Sequence, residues 1–131
     1  MPEITAKHMG DMKFETQIGN HKLIIDVPSE MGGKDRGATP PQLFVASLSS
    51  CIAVFATSYC NNAGIDAKDL SVSLSFDKLE NPTRLGNFKA TINIPNGDVG
   101  KREKAIIHAA SHCPIHETIH IPQKVDITLD Q

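Results

Sequence analysis

Residues 39–64 read "TPPQLFVASLSSCIAVFATSYCNNAG". Thr39 can cap a helix, Pro40 falls where a missing N–H costs nothing, and Gln42 stands three residues after the cap, as in a capping box. From Leu43 to Cys60 the residues are apolar, small or hydroxyl-bearing, with no charge among them. "NNAG" supplies the stop, with Gly64 as the C-terminal cap. The pattern predicts a helix of more than twenty residues that is apolar on nearly every side. A helix without a polar face must be buried all round, so a sheet, a second helix or a partner subunit is expected to wrap it.

Working outward, Phe14–Gly19 and His21–Val27 read as two strands about a "GN" turn, with Leu23, Ile24, Ile25 and Val27 as apolar mass. "PSEMGGKDRGA" between them and the helix is a loop by its paired glycines and mixed charge, and "KDR" within it reads as a solvated charge cluster. After the helix, "SVSLSF" alternates in the manner of a half-buried strand, and "FKATINI" repeats it with Phe88, Ala90, Ile92 and Ile94 on one side. "ENPTRLGN" between the two is a turn. "NGDVGKREKAIIHAASHC" follows as a second helix, and "PIHETI" adds one more helical turn starting at Pro114. "KVDITL" closes as an alternating strand. The expected order is ββ-α-ββ-α-β, a single α+β domain over residues 1–131.

The 131 residues suffice for a real core, and 40% hydrophobic with 21% charged residues is ordinary for a globular chain. A formal charge of −2 gives no reason to expect nucleic acid or an anionic membrane as partner. No run approaches the roughly 18 consecutive apolar residues of a bilayer span, and "MPEITAKHMGDMKFE" lacks the apolar stretch of a signal peptide. The expectation is a cytoplasmic protein. Three cysteines in that reducing setting point to packing, redox chemistry or metal binding rather than a disulfide framework.

Cys51 and Cys60 are nine residues apart on the helix, which advances about 900° and about 13 Å. They face opposite ways and cannot pair within it, so a redox partner for either must be Cys113. Cys113 lies before Pro114, where free N–H groups of a new helical turn can lower a thiol's pKa, with His112 and His116 close by. Local sequence therefore makes Cys113 the more acidic thiol and Cys51 the more buried one, with Cys60 a core residue. His108, His112 and His116 recur every four residues around Cys113, a spacing found in zinc sites. Pro114 breaks their alignment and no second cluster supports them, so no metal and no cofactor is expected.

"GGKDRGATPPQLFVASLSSC", followed about sixty residues later by "HCPI", resembles the OsmC/Ohr superfamily of osmotically inducible and organic hydroperoxide resistance proteins. The resemblance covers nearly the whole chain. It implies an intertwined homodimer with the long helix at its centre, and a thiol-dependent, antioxidant peroxidase for organic hydroperoxides. By position Cys51 would be peroxidatic and Cys113 resolving, and a dithiol such as a lipoylated protein or thioredoxin would reduce the disulfide they form. The family's peroxidase branches carry a glutamate after the proline before "QLF", paired with an arginine from the N-terminal strands. Here that position is Pro41, and the one arginine before the helix is Arg36, in the loop. Arg36 is thus the first candidate for the cation that activates Cys51, with Lys34 or a histidine from the other subunit behind it. The other reading is a non-catalytic relative that holds a small apolar ligand, or a metal on Cys113 and His116, in the dimer cleft.

Overall fold

The computed structural model describes residues 2–131, in the order β-β-β-α-β-β-α-α. By contact the chain divides into two compact units, 1–45 and 46–131.

The first unit is an antiparallel meander of β1 (Ala6–His8), β2 (Phe14–Ile18) and β3 (His21–Ile25), with β2 in the middle. The β2–β3 hairpin turns at Gly19, which takes the left-handed region at φ 58° as the "GN" reading requires, and pairs Ile18 with His21 and Phe14 with Ile25. Strand β1 was not expected. Its three exposed residues carry no alternation, and it forms because the 9–13 turn, closed by the Met9 and Lys13 amides, folds it back onto β2. After β3 a short 3₁₀ turn spans Ser29–Met31, and Ala38 returns as an isolated parallel bridge to Ile25.

Helix α1 spans Pro40–Ala63 and starts as the sequence dictates. The Thr39 hydroxyl accepts the Gln42 N–H at 3.3 Å and the Gln42 side chain accepts the Thr39 N–H at 2.9 Å. Gly64 ends it at φ 72°, and the Ile65 N–H returns to the Cys60 carbonyl at 2.9 Å. The expected burial is partial within one chain, and one expectation about this helix needs correction. Within the single chain it is not buried all round: Leu48, Ile52, Ala56 and Cys60 form one buried stripe, while Val54 is 62% exposed on the far side. Its 24 uncharged residues are also long and apolar enough to cross a bilayer, contrary to the expectation of no such run. Scattered Ser and Thr side chains hid the length of the run, since they can bond back to helix carbonyls, as Ser50 does to Ala46 at 2.6 Å. Its buried stripe belongs to the core of the second unit.

In that unit β4 (Ser71–Leu79) and β5 (Arg84–Asn93) form a long antiparallel hairpin, and α2 (Glu103–Ser111) and α3 (Pro114–His120) follow. The turn between β4 and β5 is shorter than "ENPTRLGN", because Leu85 and Gly86 already pair with Lys78 and Asp77. Gly86 reads as a turn residue but is a packing gap: a Cβ there would lie 2.4 Å from a Leu79 methyl. The second helix begins later than expected, because Gly100 adopts φ 57° and only a 3₁₀ turn forms over Gly100–Arg102. The closing strand "KVDITL" is absent. Residues 122–131 carry no strand, and Val125, Ile127 and Leu129 are 77–90% exposed. Alternation is a preference for a half-buried ladder, and the single chain pairs these residues with no strand. Leu48, Ile52, Ala56, Cys60, Ile65, Ile106, Ala110 and Cys113 make the buried core, with Phe55, Leu74, Phe88 and Ile92 packed against it.

Candidate functional site

The corner between α2 and α3 puts a thiol in the core. Helix α2 carries Ile106 and Ala110 inward, and Pro114, unable to donate, suits the first position of α3. Cys113 between them is the N-cap of α3 in extended conformation, and its sulfur accepts the His116 N–H at 3.2 Å. It is fully buried. On α1, Cys51 stands beside the buried stripe and is half-buried. The two thiols are neighbours in the core, close enough for Cys51 to act on the ionisation of Cys113. All three cysteines are free.

Burial pushes the Cys113 thiol up from its ordinary value, and the neighbouring Cys51 thiol adds to this. The His116 and Ile115 amides pull the other way without prevailing. This overturns the sequence reading of Cys113 as a thiol made acidic by its helical turn, and of Cys51 as the more buried of the two. The helical-turn amides are present as expected, but desolvation at a fully covered corner outweighs them. Cys60 is fully buried in the α1 stripe, with its thiol raised by burial alone, and packs as a core residue.

Beside this corner an apolar cavity of about 730 Å³ opens between α1, the hairpin and α2. Leu48, Ile52, Leu74, Phe88 and Ile106 line it, and His116 stands at its edge. The His108 and His112 rings lie 4.4 Å apart, but His116 is turned to another partner. The His112 ring bonds the His108 carbonyl at 3.0 Å and the His116 ring bonds the Ser111 carbonyl at 2.6 Å. Among the described residues no three His, Cys, Asp or Glu side chains are placed to hold a metal ion.

Arg36 belongs to the first unit, where it is the partner of Asp26, a residue the sequence reading passed over. Asp26 is completely buried. One carboxylate oxygen accepts the Val27 N–H at 2.8 Å; the other accepts the Lys34 and Arg36 N–H groups at 3.3 and 3.1 Å and the Arg36 Nε at 2.7 Å. The guanidinium bond chiefly holds the Asp26 carboxyl well below the usual carboxylate range, with the three amides helping against desolvation. Asp26 in turn raises Arg36 further. Asp11 adds weaker contacts, 3.5 Å to Arg36 and 3.4 Å to Lys34. The "KDR" stretch is therefore not a merely solvated cluster, since one of its charges is fastened to a buried partner. The available signal was a lone carboxylate ending the apolar run "LIID" just before a glycine-bearing loop.

A comparison with curated proteins found no match. Solved structures do match. One from Psychrobacter arcticus, named for osmotic stress induction and detoxification response, is 22% identical with a TM-score of 0.80, covering 92% of this chain and 89% of that one. The organic hydroperoxide resistance protein OsmC of Legionella pneumophila is 27% identical with a TM-score of 0.63, covering 91% and 90%. An OsmC-like protein of Mycoplasma pneumoniae is 20% identical with a TM-score of 0.69, covering 90% and 86%. The family model of OsmC-like proteins matches residues 32–128, the stretch that holds α1, the hairpin and both thiols of the Cys51–Cys113 pair. This chain belongs to the OsmC/Ohr family.

Proposed function

We propose that this protein is a thiol-dependent peroxidase for organic hydroperoxides, working through Cys51 and Cys113. The observation that carries the reading is the proximity of these two thiols in the core, one on α1 and one at the α2–α3 corner, 62 residues apart in sequence. The Cys51 thiolate attacks the distal oxygen of ROOH. An S–O bond forms, the O–O bond breaks, and the departing alkoxide takes a proton to leave as ROH. The Cys113 sulfur then attacks the Cys51 sulfenic acid. The S–S bond forms as S–O breaks, and hydroxide leaves with the Cys113 proton as water. An external dithiol, a lipoylated protein or thioredoxin, returns two electrons by disulfide exchange. Cys51, the less buried of the two, suits the role that must meet substrate. The apolar cavity beside the corner favours an organic group over hydrogen peroxide.

The working form is a homodimer. An uncharged face of α1 with Val54 outward, and a strand-patterned segment at 124–129 with its apolar residues in solvent, both want a second surface. A sedimentation experiment giving the monomer mass at micromolar concentration would remove this part of the proposal.

The test of the chemistry is thiol counting by mass spectrometry after one equivalent of cumene hydroperoxide. A Cys51–Cys113 disulfide within seconds is expected; three thiols still reduced after many minutes would refute it. The cavity also favours a second reading, a non-catalytic carrier of a small apolar ligand. That reading predicts unreactive thiols together with saturable binding of an apolar fluorophore.

A further inference from the structure

His116 makes two different bonds across one corner. Its backbone N–H donates to the Cys113 sulfur at 3.2 Å, and its ring reaches back at 2.6 Å to the carbonyl of Ser111, the last residue of α2. A carbonyl only accepts, so the ring proton sits on Nδ1, and the bond satisfies a carbonyl that the end of α2 leaves open. One half-buried side chain thus closes residues 111–116 into a fixed loop with the Cys113 sulfur inside it. The fold alone does not call for an imidazole here, since the apolar packing of α3 rests on Ile115.

We propose that His116 is a positioning residue for the resolving step: by clamping the Ser111 carbonyl and donating to the sulfur, it holds Cys113 aimed at Cys51. The inference rests on the peroxidase reading. Resolution needs the Cys113 sulfur to approach the Cys51 sulfur opposite the departing oxygen, and a small error in aim at such a step is costly. In the first step no bond to Cys113 forms or breaks, so the clamp bears chiefly on the second.

The experiment separates the two steps. Reduced wild type, His116→Ala, His116→Gln and His116→Asn each receive one equivalent of cumene hydroperoxide. Samples are quenched over time with dimedone, which traps sulfenic acid, and counted by mass. An asparagine amide occupies the place of Nδ1 and can still donate to Ser111; a glutamine amide sits further out and cannot do so in the same pose. The Ala and Gln variants should form the Cys51 sulfenic acid at the wild-type rate but close the disulfide roughly fivefold more slowly, the worth of about one hydrogen bond. Asn should restore closure. Closure at the wild-type rate in both Ala and Gln would overturn the proposal. So would an Asn variant as slow as Gln, since the ring would then be doing something other than holding Ser111. If wild-type Cys51 itself never becomes oxidised, the peroxidase reading fails first and the inference falls with it.

Discussion

Joining Cys51 to Cys113 should raise the melting temperature, and by an amount that the chain itself sets. The bond closes a loop of about 60 residues, which removes about 4 kcal/mol of chain entropy from the unfolded state. Against this stands the His116 N–H bond to the Cys113 sulfur, weakened when the thiol becomes a disulfide, which subtracts about 1 kcal/mol and leaves about 3 kcal/mol. The unfolding entropy expected for 131 residues turns each kcal/mol into about 3–4 °C. The oxidised protein should therefore melt about 10 °C above the reduced one. Calorimetry on protein treated with one equivalent of hydroperoxide, against protein kept in a phosphine reductant, reads this directly. Cys113→Ser should show no shift on oxidation, and Cys60→Ser should keep it. An oxidised form that melts within 2 °C of the reduced form, or below it, would refute the reasoning, because the two sulfurs would then not meet without distorting the core.

Cys60→Ser places a hydroxyl in a fully buried apolar stripe and should cost about 1–3 kcal/mol in urea unfolding, with peroxide consumption unchanged; loss of consumption would move Cys60 into the chemistry. Asp26→Asn should destabilise the protein in a pH-dependent way. Because folding depresses the Asp26 pKa, the stabilisation from its ionised form is full above the unfolded value of about 4 and fades as pH falls below it. The gap between wild type and variant should hold steady from about pH 5 to 8 and narrow toward pH 3; a gap that widens in acid would contradict the buried-carboxylate account. Arg36→Gln removes the charge from that pair and should quicken proteolysis in the 28–37 loop. If Arg36 is also the activating cation, Cys51 oxidation slows at least about tenfold, and an unchanged rate leaves Arg36 as a loop anchor alone.

What could be read from the sequence was whatever depends on neighbours in sequence. Thr39, Gln42 and Gly64 fixed both ends of α1 because caps are local hydrogen bonds. The alternation of "SVSLSF" and "FKATINI" marked the hairpin, although Gly86 shows that a glycine beside an asparagine need not be a turn. What escaped depends on covering by distant chain. The relative burial of Cys51 and Cys113 was reversed because the atoms that cover Cys113 come from elements far from it in sequence. Asp26 escaped because three of its four donors come from residues eight to ten positions on. Strand 124–129 failed because alternation states what a segment would do beside a partner, not whether the same chain supplies one.

The buried Asp26 carboxylate also sets how the β3–α1 connection can vary. Its oxygens receive the amides of residues 27, 34 and 36, so the excursion between them must leave and return at fixed points. Gly33 tightens the limit, since a Cβ there would lie 2.0 Å from the Val27 carbonyl oxygen. Surface loops ordinarily tolerate added or deleted residues at small cost. Here the tolerance is confined to the outer arc near residues 29–32, whereas a one-residue change between Gly33 and Arg36 would carry the guanidinium off its carboxylate. Any grafted loop, or any relative with a connection of different length, has to rebuild those donors in the same register.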